Sequence, residues 1–421
     1  MYLKALLIGL IVYIPNQLHF PIDLGIKGLN VFNLLFLLAL AAMVVHRKGQ
    51  WERAPLRGRI YLYYAILALA LLIGISMNSD YLIDDLTHFK TAISYSLLYF
   101  VFFHAVDDKR TVRLLMTVVL GVVFLMSIEV LLEALAYGIG SGRRAAGAFG
   151  HTLAAANYAG VFFGIFLPMA MAIAIFHRER ILRLAGLMVF GLGGIGVFYT
   201  FSRAALAALA VTTVLLWLMR SRVLGVVILV LVLNYALWVP VVVQQRIDST
   251  TEVTAAGEEK IDDSTESRFY LWRGGWDMIK EKPYGVGLNN FHRLIEPRLP
   301  PWIIARDAHN HFVSITTEAG LQGGIVFVVL LLGFYTLGLR LLRFRENAEA
   351  RALGFGYIMS VTGLILGNLT HSFFYSGELM GNFWVMSALI ARYLVILERE
   401  ATSELETTFV PVKNGFKGQG V

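Results

Sequence analysis

Long apolar stretches alternate with short polar connections along most of this chain. About 20 predominantly apolar residues are enough for a helix to cross the hydrocarbon core of a membrane. By this criterion the sequence contains twelve such stretches, near residues 3–19, 29–46, 59–77, 90–106, 112–136, 155–176, 181–200, 203–219, 222–243, 321–342, 352–371 and 380–397. The pattern therefore predicts an all-α, polytopic integral membrane protein with about 12 transmembrane helices.

Two places leave the number of spans open between ten and twelve. Pro15 and Asn16 interrupt the first stretch, which makes it the weakest of the set. The seventh and eighth stretches are joined so closely at Ser202-Arg203 that one bent element is an alternative. An arginine between two apolar runs is costly unless it is paired or reaches water. Arg203 is therefore a candidate for binding an anion where two helix ends meet.

The composition agrees with a membrane protein and excludes other classes. Hydrophobic residues make up 57% of the chain and charged residues only 15%, with a mean hydropathy of +0.67. These values exclude an ordinary soluble enzyme and a disordered scaffold. The sequence contains no cysteine, which excludes disulfides, thiolate metal sites and cysteine nucleophiles.

The formal net charge is +7, which on its own can indicate a nucleic-acid partner. In a membrane protein, however, Lys and Arg in short loops mark the cytoplasmic side. Most of them follow the even-numbered stretches, for example Arg47 and Lys48 after the second and Arg178 and Arg180 after the sixth. We therefore expect these connections and both termini to be cytoplasmic, and nucleic acid is not needed to explain the charge.

The longest connection, at residues 244–320, follows the ninth stretch and is therefore expected on the outer side. Within it, residues 263–280 predict a helix that lies on the membrane surface, because one face gathers Arg268, Trp272, Trp276 and Ile279. On that face Arg268 can bind a lipid phosphate bidentately or snorkel to ordinary headgroups. Arg273 lies on the polar flank of the same helix.

The run Arg306-Asp307-Ala308-His309-Asn310-His311 leads into the tenth stretch. We expect Asp307 to cap a helix whose first turn contains His309. A neutral imidazole there can accept a proton from an attacking hydroxyl, and a structural, hydrogen-bonded histidine fits equally well. Gly320 and Gly323 share a helical face, where missing side chains let another helix approach closely.

Other polar residues expected on the outer side have simpler explanations. Arg143 and Arg144 follow the fifth stretch and can snorkel to headgroups. A structural or water-exposed role is expected for His371 beside the last outer connection. His309 and His311 do not share a helical face, and no third ligand follows at a recognisable spacing, so no metal site is expected.

Four motifs, in this order, resemble those of the O-antigen ligase/polymerase superfamily of bacterial envelope glycosyltransferases. The resemblance is clearest from about residue 186 to residue 332. The last motif is the most specific, since it resembles the ligase signature of a histidine and an amide followed by two spaced glycines. The motifs are Phe201-Ser202-Arg203-Ala204, Arg268-x3-Trp272, Pro283-Tyr284-Gly285-Val286-Gly287 and His309-Asn310-x9-Gly320-x2-Gly323.

The resemblance implies a GT-C-like, metal-independent glycosyltransferase without a cofactor, in the bacterial inner membrane, with its active site facing the periplasm. The implied donor is a glycan on undecaprenyl diphosphate, and the implied acceptor is lipid A core or another hydroxyl-bearing molecule. Matched by position, His309 is the general base, while Arg203 and Arg268 hold the diphosphate. Arg273 is the reserve candidate for the second arginine. Supporting roles fall to Asn310, Gly320 and Gly323.

The same reasoning divides the chain into four parts. They are N-terminal transmembrane helices at 1–185, an O-antigen ligase-related core at 186–332 that includes the periplasmic loop at 244–320, C-terminal transmembrane helices at 333–397 and a cytoplasmic tail at 398–421.

Two other functions remain as alternatives. A chain polymerase uses the same donor and differs only in its acceptor. A lipid-linked glycan flippase or another transporter is the second alternative, and such proteins often carry ionisable residues at mid-membrane. Here Glu129 and Glu133 are the main ionisable residues within a predicted span, and this scarcity favours a transferase.

Overall fold

The computed structural model of the protein describes residues 2–20, 30–47, 51–77, 80–150, 154–248, 251–253, 259–261, 263–304 and 306–408. Most of these residues are helical. One short antiparallel hairpin, β1 (Thr251–Val253) with β2 (Glu259–Ile261), pairs Glu252 with Lys260. The helices are α1 (Tyr2–Asn16), α2 (Val31–Arg47), α3 (Arg57–Met77), α4 (Leu82–Ser94), α5 (Leu98–Ala105), α6 (Lys109–Tyr137), α7 (Ala155–Phe176), α8 (Arg180–Thr200), α9 (Arg203–Arg220), α10 (Arg222–Leu233), α11 (Val241–Asp248), α12 (Asp263–Glu281), α13 (Phe291–Leu294), α14 (His311–Leu341), α15 (Ala348–Thr370) and α16 (Gly377–Thr408).

Eight helices in the described part of the chain are long and apolar enough to cross a membrane. They are α3, α6, α7, α8, α9, α14, α15 and α16. This result confirms the predicted helical, polytopic membrane class. Fewer helices reach that length than the twelve stretches of the sequence suggest.

The remaining four predicted spans form shorter elements. α1 has 15 residues, α2 has 17 and α10 has 12. At 1.5 Å per residue each falls short of the hydrocarbon thickness of about 30 Å. α10 ends at Leu233, because the backbone of Asn234 leaves the helical conformation with φ of −101° and ψ of 39°, and a short 3-10 turn follows. The predicted span at 90–106 is divided between α4 and α5 by a turn at 95–97.

α7 and α15 form the centre of the bundle. Their backbones touch because small residues face each other, and a Cβ on Gly363 of α15 would overlap the carbonyl oxygen of Gly164 on α7. α8 and α9 pack on α7, while α14 packs on α15 and α3. This packing fixes the first turns of α7 beside the start of α9 and the end of α15.

Polar contacts join the connections that carry much of the Lys and Arg excess. The Arg392 side chain of α16 is buried and contacts Glu52, between α2 and α3, and Asp107, between α5 and α6. Arg178, after α7, donates to the Glu346 carbonyl, after α14, at 3.5 Å. These connections therefore lie together at one end of the bundle, which we call the basic end.

At the opposite end, α14 is interrupted at Gly320, where φ is +76° and ψ is −178°. The loop of residues 283–287 supplies the hydrogen bonds that the interrupted helix loses. Val286 and Gly287 donate to the carbonyls of Thr317 and Glu318, each at 3.0 Å. In return, the Leu321 N–H donates to the Pro283 carbonyl at 3.0 Å. The glycine-rich loop and the break in α14 thus form one unit.

The glycines of this unit have a different role from the expected one. A Cβ on Gly320 would lie 2.5 Å from the backbone carbon of Tyr284, so Gly320 admits a loop rather than another helix. A Cβ on Gly323 would lie 2.5 Å from the Cβ of Ala319, in the preceding part of the same helix. The predicted helix–helix contact through these two glycines is therefore wrong, because the kink turns them toward closer neighbours.

We expect Gly320→Ala to lower the thermal unfolding midpoint of the detergent-purified protein. The positive-φ, extended backbone alone, a region nearly restricted to glycine, disfavours an L-residue by roughly 1–3 kcal/mol, and the new methyl group also meets Tyr284. Gly121→Ala is the matched control, because Gly121 lies in α6 with open space around its Cα. The same midpoint for both variants would contradict the role assigned to the break.

Candidate functional site

Arg203 begins α9 at the end of the bundle opposite to the basic end. α8 finishes at Thr200, and Phe201 adopts a left-handed conformation with φ of 48°. Two separate helices therefore meet here, and the alternative of one bent element is wrong. Gly160 of α7 allows this close junction, because a Cβ there would lie 2.8 Å from the Cβ of Ala205. The start of α9 is thus held rigidly by α7.

The connection after α6 is folded back onto this junction. The Glu133 carboxylate accepts from the N–H groups of Ala146 at 2.7 Å and Gly147 at 2.6 Å. Glu133, which the sequence places inside a span, therefore anchors the connection. The Arg144 guanidinium donates to the Thr200 carbonyl at 2.9 Å and to the Asn157 side chain. These bonds fix Arg144 beside α9, which simple snorkelling does not predict.

An open pocket lies at this junction, and the empty space in it is about 360 Å³ when the open solvent at its mouth is included. Four guanidinium groups, each from a different element, share its lining. Burial, together with Arg246 and Arg203, lowers the pKa of Arg144 to about 10, which still leaves it charged at neutral pH. The lining residues are Arg144, Asn157, Phe201, Ser202, Arg203, Ala204, Arg246, Arg268 and His371. Such a concentration of guanidinium groups beside a helix N-terminus suits a phosphate-bearing ligand.

Arg268 reaches the pocket from α12, which packs against α14 instead of lying freely on a membrane surface. A Cβ on Gly275 would lie 2.8 Å from Val313 of α14, which shows how closely the two helices approach. The Trp272 indole N–H donates to the Ala308 carbonyl at 2.8 Å, and Ile279 is buried. The predicted membrane-facing position is therefore wrong for Ile279, which the protein covers, while Trp272 is half-buried. Of that predicted surface, Trp276 remains exposed.

Arg273, the reserve candidate, lies elsewhere on α12. Its side chain is exposed, and it is not part of the pocket lining. The structure therefore brings Arg203 and Arg268 together and leaves Arg273 apart from them.

His309 lies just before α14, in a left-handed conformation with φ of 48°. The cap of α14 is Asn310, whose side-chain oxygen accepts from Phe312 N at 3.0 Å and from Val313 N at 3.3 Å. The expectation that Asp307 caps the helix is wrong, and so is the placement of His309 in the first turn. Both follow from the same cause, since the helix starts at His311 rather than three residues earlier.

Asp307 instead contacts the imidazole. One of its carboxylate oxygens lies 3.2 Å from Nδ1 of His309. A carboxylate at Nδ1 favours the tautomer with a proton there, which leaves the Nε2 lone pair available as a base. Burial lowers the pKa of His309 below its usual value, with further lowering from Arg306 and Arg268, while Asp307 opposes the shift. His309 is therefore neutral at neutral pH.

His371 connects His309 with the arginine pocket. The two imidazole rings meet edge to face with their centroids 5.9 Å apart. His371 follows the last residue of α15, is buried and lines the pocket. The sequence predicts a structural or water-exposed role for this residue, and nothing in it marks Arg246 as a candidate. No spacing in the sequence marks either residue, because both reach the pocket from elements distant in the chain.

The described residues contain no group of three or more His, Asp or Glu side chains arranged to hold a metal ion. The chemistry offered by the described pocket is that of fixed positive charge with a neutral imidazole nearby. Such a site can bind an anionic leaving group and remove a proton from an attacking hydroxyl.

The fold and the pocket together define a polytopic helical membrane protein with a polar site at one end of its bundle. Residues 187–328 match the family model described as O-antigen ligase. This match confirms the resemblance to the O-antigen ligase/polymerase superfamily. It spans the chain from α8 into α14 and includes Arg203, Arg268 and His309. No curated protein matches the chain.

The charges around His309 give a prediction that requires no substrate. Diethyl pyrocarbonate acylates neutral imidazole, so the pH dependence of its reaction at His309, followed by peptide mass spectrometry, reports the pKa. We expect a midpoint below the ordinary value of 6.5. Asp307→Asn should move the midpoint lower, because Asp307 raises the pKa, and Arg306→Gln should move it higher. Shifts of the same sign in both variants would refute this description of the site.

Proposed function

We propose that the protein is an O-antigen ligase-type glycosyltransferase of the bacterial inner membrane. It moves a glycan from undecaprenyl diphosphate to an acceptor hydroxyl on the periplasmic side. The observation that carries the proposal is the convergence of Arg203 and Arg268 in one pocket, with His309 beside the pocket through His371. These side chains come from parts of the chain that are distant in sequence, and they meet only in the folded protein.

The arginines serve the leaving group. The bond between the anomeric carbon and the diphosphate breaks, and negative charge grows on the diphosphate oxygens. Guanidinium groups of Arg203 and Arg268 stabilise that charge with paired hydrogen bonds, and the N-terminus of α9 adds its positive end. A lipid diphosphate suits this place, because the pocket lies where the spanning helices α8 and α9 meet.

His309 serves the nucleophile. The acceptor hydroxyl attacks the anomeric carbon from the side opposite to the diphosphate, and its proton passes to Nε2 of His309. Asp307 holds Nδ1 and so keeps the ring in the required tautomer. The products are a glycan of inverted anomeric configuration on the acceptor, undecaprenyl diphosphate and a protonated His309.

The remaining family residues hold this geometry in place. Asn310 caps α14 directly after His309, and Gly320 allows the loop of residues 283–287 to bond to the same helix. We assign Asn310, Gly320 and Gly323 to support of the site. We assign Arg273 no contact with the diphosphate, since it is exposed away from the pocket.

The proposed orientation rests on the two ends of the bundle. The connections that carry much of the Lys and Arg excess meet at the basic end, which we assign to the cytoplasm with both termini. The arginine pocket lies at the opposite end and therefore faces the periplasm, where a lipid-linked donor and an envelope acceptor can meet.

A chain polymerase remains the second candidate, because it uses the same donor and the same pocket chemistry. One contact weakens the transporter alternative. Glu133, a candidate mid-membrane carboxylate, accepts two hydrogen bonds from the connection after α6 and thus has a structural partner. A transport role for a carboxylate requires it to exchange ions or protons during the cycle.

We expect purified protein in detergent to transfer glycan from undecaprenyl diphosphate to added lipid A core in a single step. His309→Ala should lower kcat by about 10²–10⁴-fold, the usual contribution of a general base. Arg203→Ala and Arg268→Ala should weaken use of the donor. The matched control is Arg273→Ala, which removes an exposed arginine from the same helix as Arg268.

The products on a gel separate the candidate functions. A ladder of lengthening chains from the donor alone would show a polymerase that uses the same site. Full activity of the folded His309→Ala variant would remove the assignment of His309 as the base. Absence of product with every acceptor would contradict the transferase proposal and support the transporter alternative.

A further inference from the structure

His371 has an unusual environment for a buried histidine. Its side chain lines the arginine pocket with only 4% of its surface exposed. Among the described residues, its Nε2 atom has no hydrogen-bond partner. Buried polar atoms in proteins are nearly always paired, so an orphaned nitrogen beside a pocket points to a ligand.

The hydrogen bonds around the ring decide which nitrogen carries the proton. The Thr370 hydroxyl donates its one proton to the Gly367 carbonyl at 3.0 Å. The same oxygen lies 3.1 Å from Nδ1 of His371 and must accept from it. Neutral His371 therefore has its proton on Nδ1, and Nε2 offers a lone pair as a hydrogen-bond acceptor.

The ring of His371 is held in one orientation. It stacks on the Phe373 ring with a centroid distance of 4.7 Å and an interplanar angle of 8°. Its other neighbour is the His309 ring, which meets it edge to face at 5.9 Å. Because stacking and the hydrogen bond to Thr370 already fix the ring, a ligand that donates to Nε2 causes little further loss of side-chain conformational entropy.

His371 lies between the two reacting parts of the proposed site. It shares the pocket lining with Arg203 and Arg268, which hold the diphosphate, and it touches His309, which faces the acceptor. In the proposed reaction, the first sugar of the donor occupies the space between the arginines and His309. Its anomeric carbon is bonded to the diphosphate and is attacked by the acceptor hydroxyl. That sugar presents hydroxyl or amide N–H donors around its ring.

On the basis of the proposed function, we infer that His371 is a positioning residue that binds the diphosphate-linked sugar of the donor. Its Nε2 accepts a hydrogen bond from one hydroxyl or amide N–H of that sugar. The bond fixes the rotation of the sugar about its link to the diphosphate, so that the anomeric carbon faces His309 and the acceptor.

The test combines substitutions of His371 with changes in the sugar. Wild type, His371→Ala and His371→Gln are assayed with the natural donor and with donors in which each hydroxyl of the first sugar is replaced, one at a time, by hydrogen. If the first sugar of the donor carries an N-acetyl group, a further donor has a hydroxyl in its place. His292→Ala is the matched control, because His292 is exposed at the same end and does not line the pocket.

We expect one modified donor to have a KM raised roughly tenfold with wild type, as for one lost hydrogen bond. His371→Ala should raise the KM of the natural donor by a similar factor. In this variant the natural donor and the modified donor should have the same KM. His371→Gln should restore part of the discrimination, because its carbonyl oxygen replaces Nε2 as the acceptor. The kcat should change less than in His309→Ala, since His371 moves no proton.

Additive effects of substitution and sugar change on KM would overturn the assignment, since independent sites give additive free energies. An equal loss in His292→Ala would also overturn it. If His371→Ala fails to fold, the pair of wild type and His371→Gln carries the same comparison. Absence of any product with wild type would instead reject the proposed function and this inference with it.

Discussion

The hydrogen bonds between the loop of residues 283–287 and the interrupted α14 are the contact on which the site depends. Near a membrane, backbone groups freed by a helix break need partners within the protein. Val286 and Gly287 donate to α14, and Leu321 donates back to the loop. These hydrogen bonds attach the loop of residues 283–287, which follows α12, to α14. Together with the packing of α12 against α14, they hold the segment before α14 in a fixed position relative to α8 and α9.

The site assembled on this frame draws its charge from distant parts of the chain. Arg144 is fixed by Asn157 and the Thr200 carbonyl, and Arg203 begins a helix that packs on α7. Arg268 is placed by the packing of α12 against α14. Each guanidinium belongs to a different rigid element, so their spacing is set before any ligand binds. In the proposed reaction, preorganised charge of this kind would stabilise the departing diphosphate without reorganisation.

The sequence predicts the class of fold because hydrophobic length is a strong signal, and it marks Arg203 and His309 as candidates because their motifs are local. It fails where tertiary contacts decide. The amphipathic pattern of α12 suggests a membrane surface, yet its tryptophan at position 272 is half-buried and donates to the Ala308 carbonyl. Asp307 looks like a cap in sequence, but Asn310 lies closer to the start of the helix. His371 has no motif of its own, and only the packing of α15 brings it to the pocket.

The role of the arginine pocket is tested most directly by the affinity for undecaprenyl diphosphate without a glycan, measured in nanodiscs and compared with undecaprenyl monophosphate. We expect the protein to prefer the diphosphate, and we expect Arg203→Ala or Arg268→Ala to raise the Kd by about tenfold or more, because a charged hydrogen bond is lost. Arg273→Ala should bind as wild type does. Equal binding of both lipids, or weakening by Arg273→Ala alone, would contradict the assignment of the arginine pocket to the diphosphate.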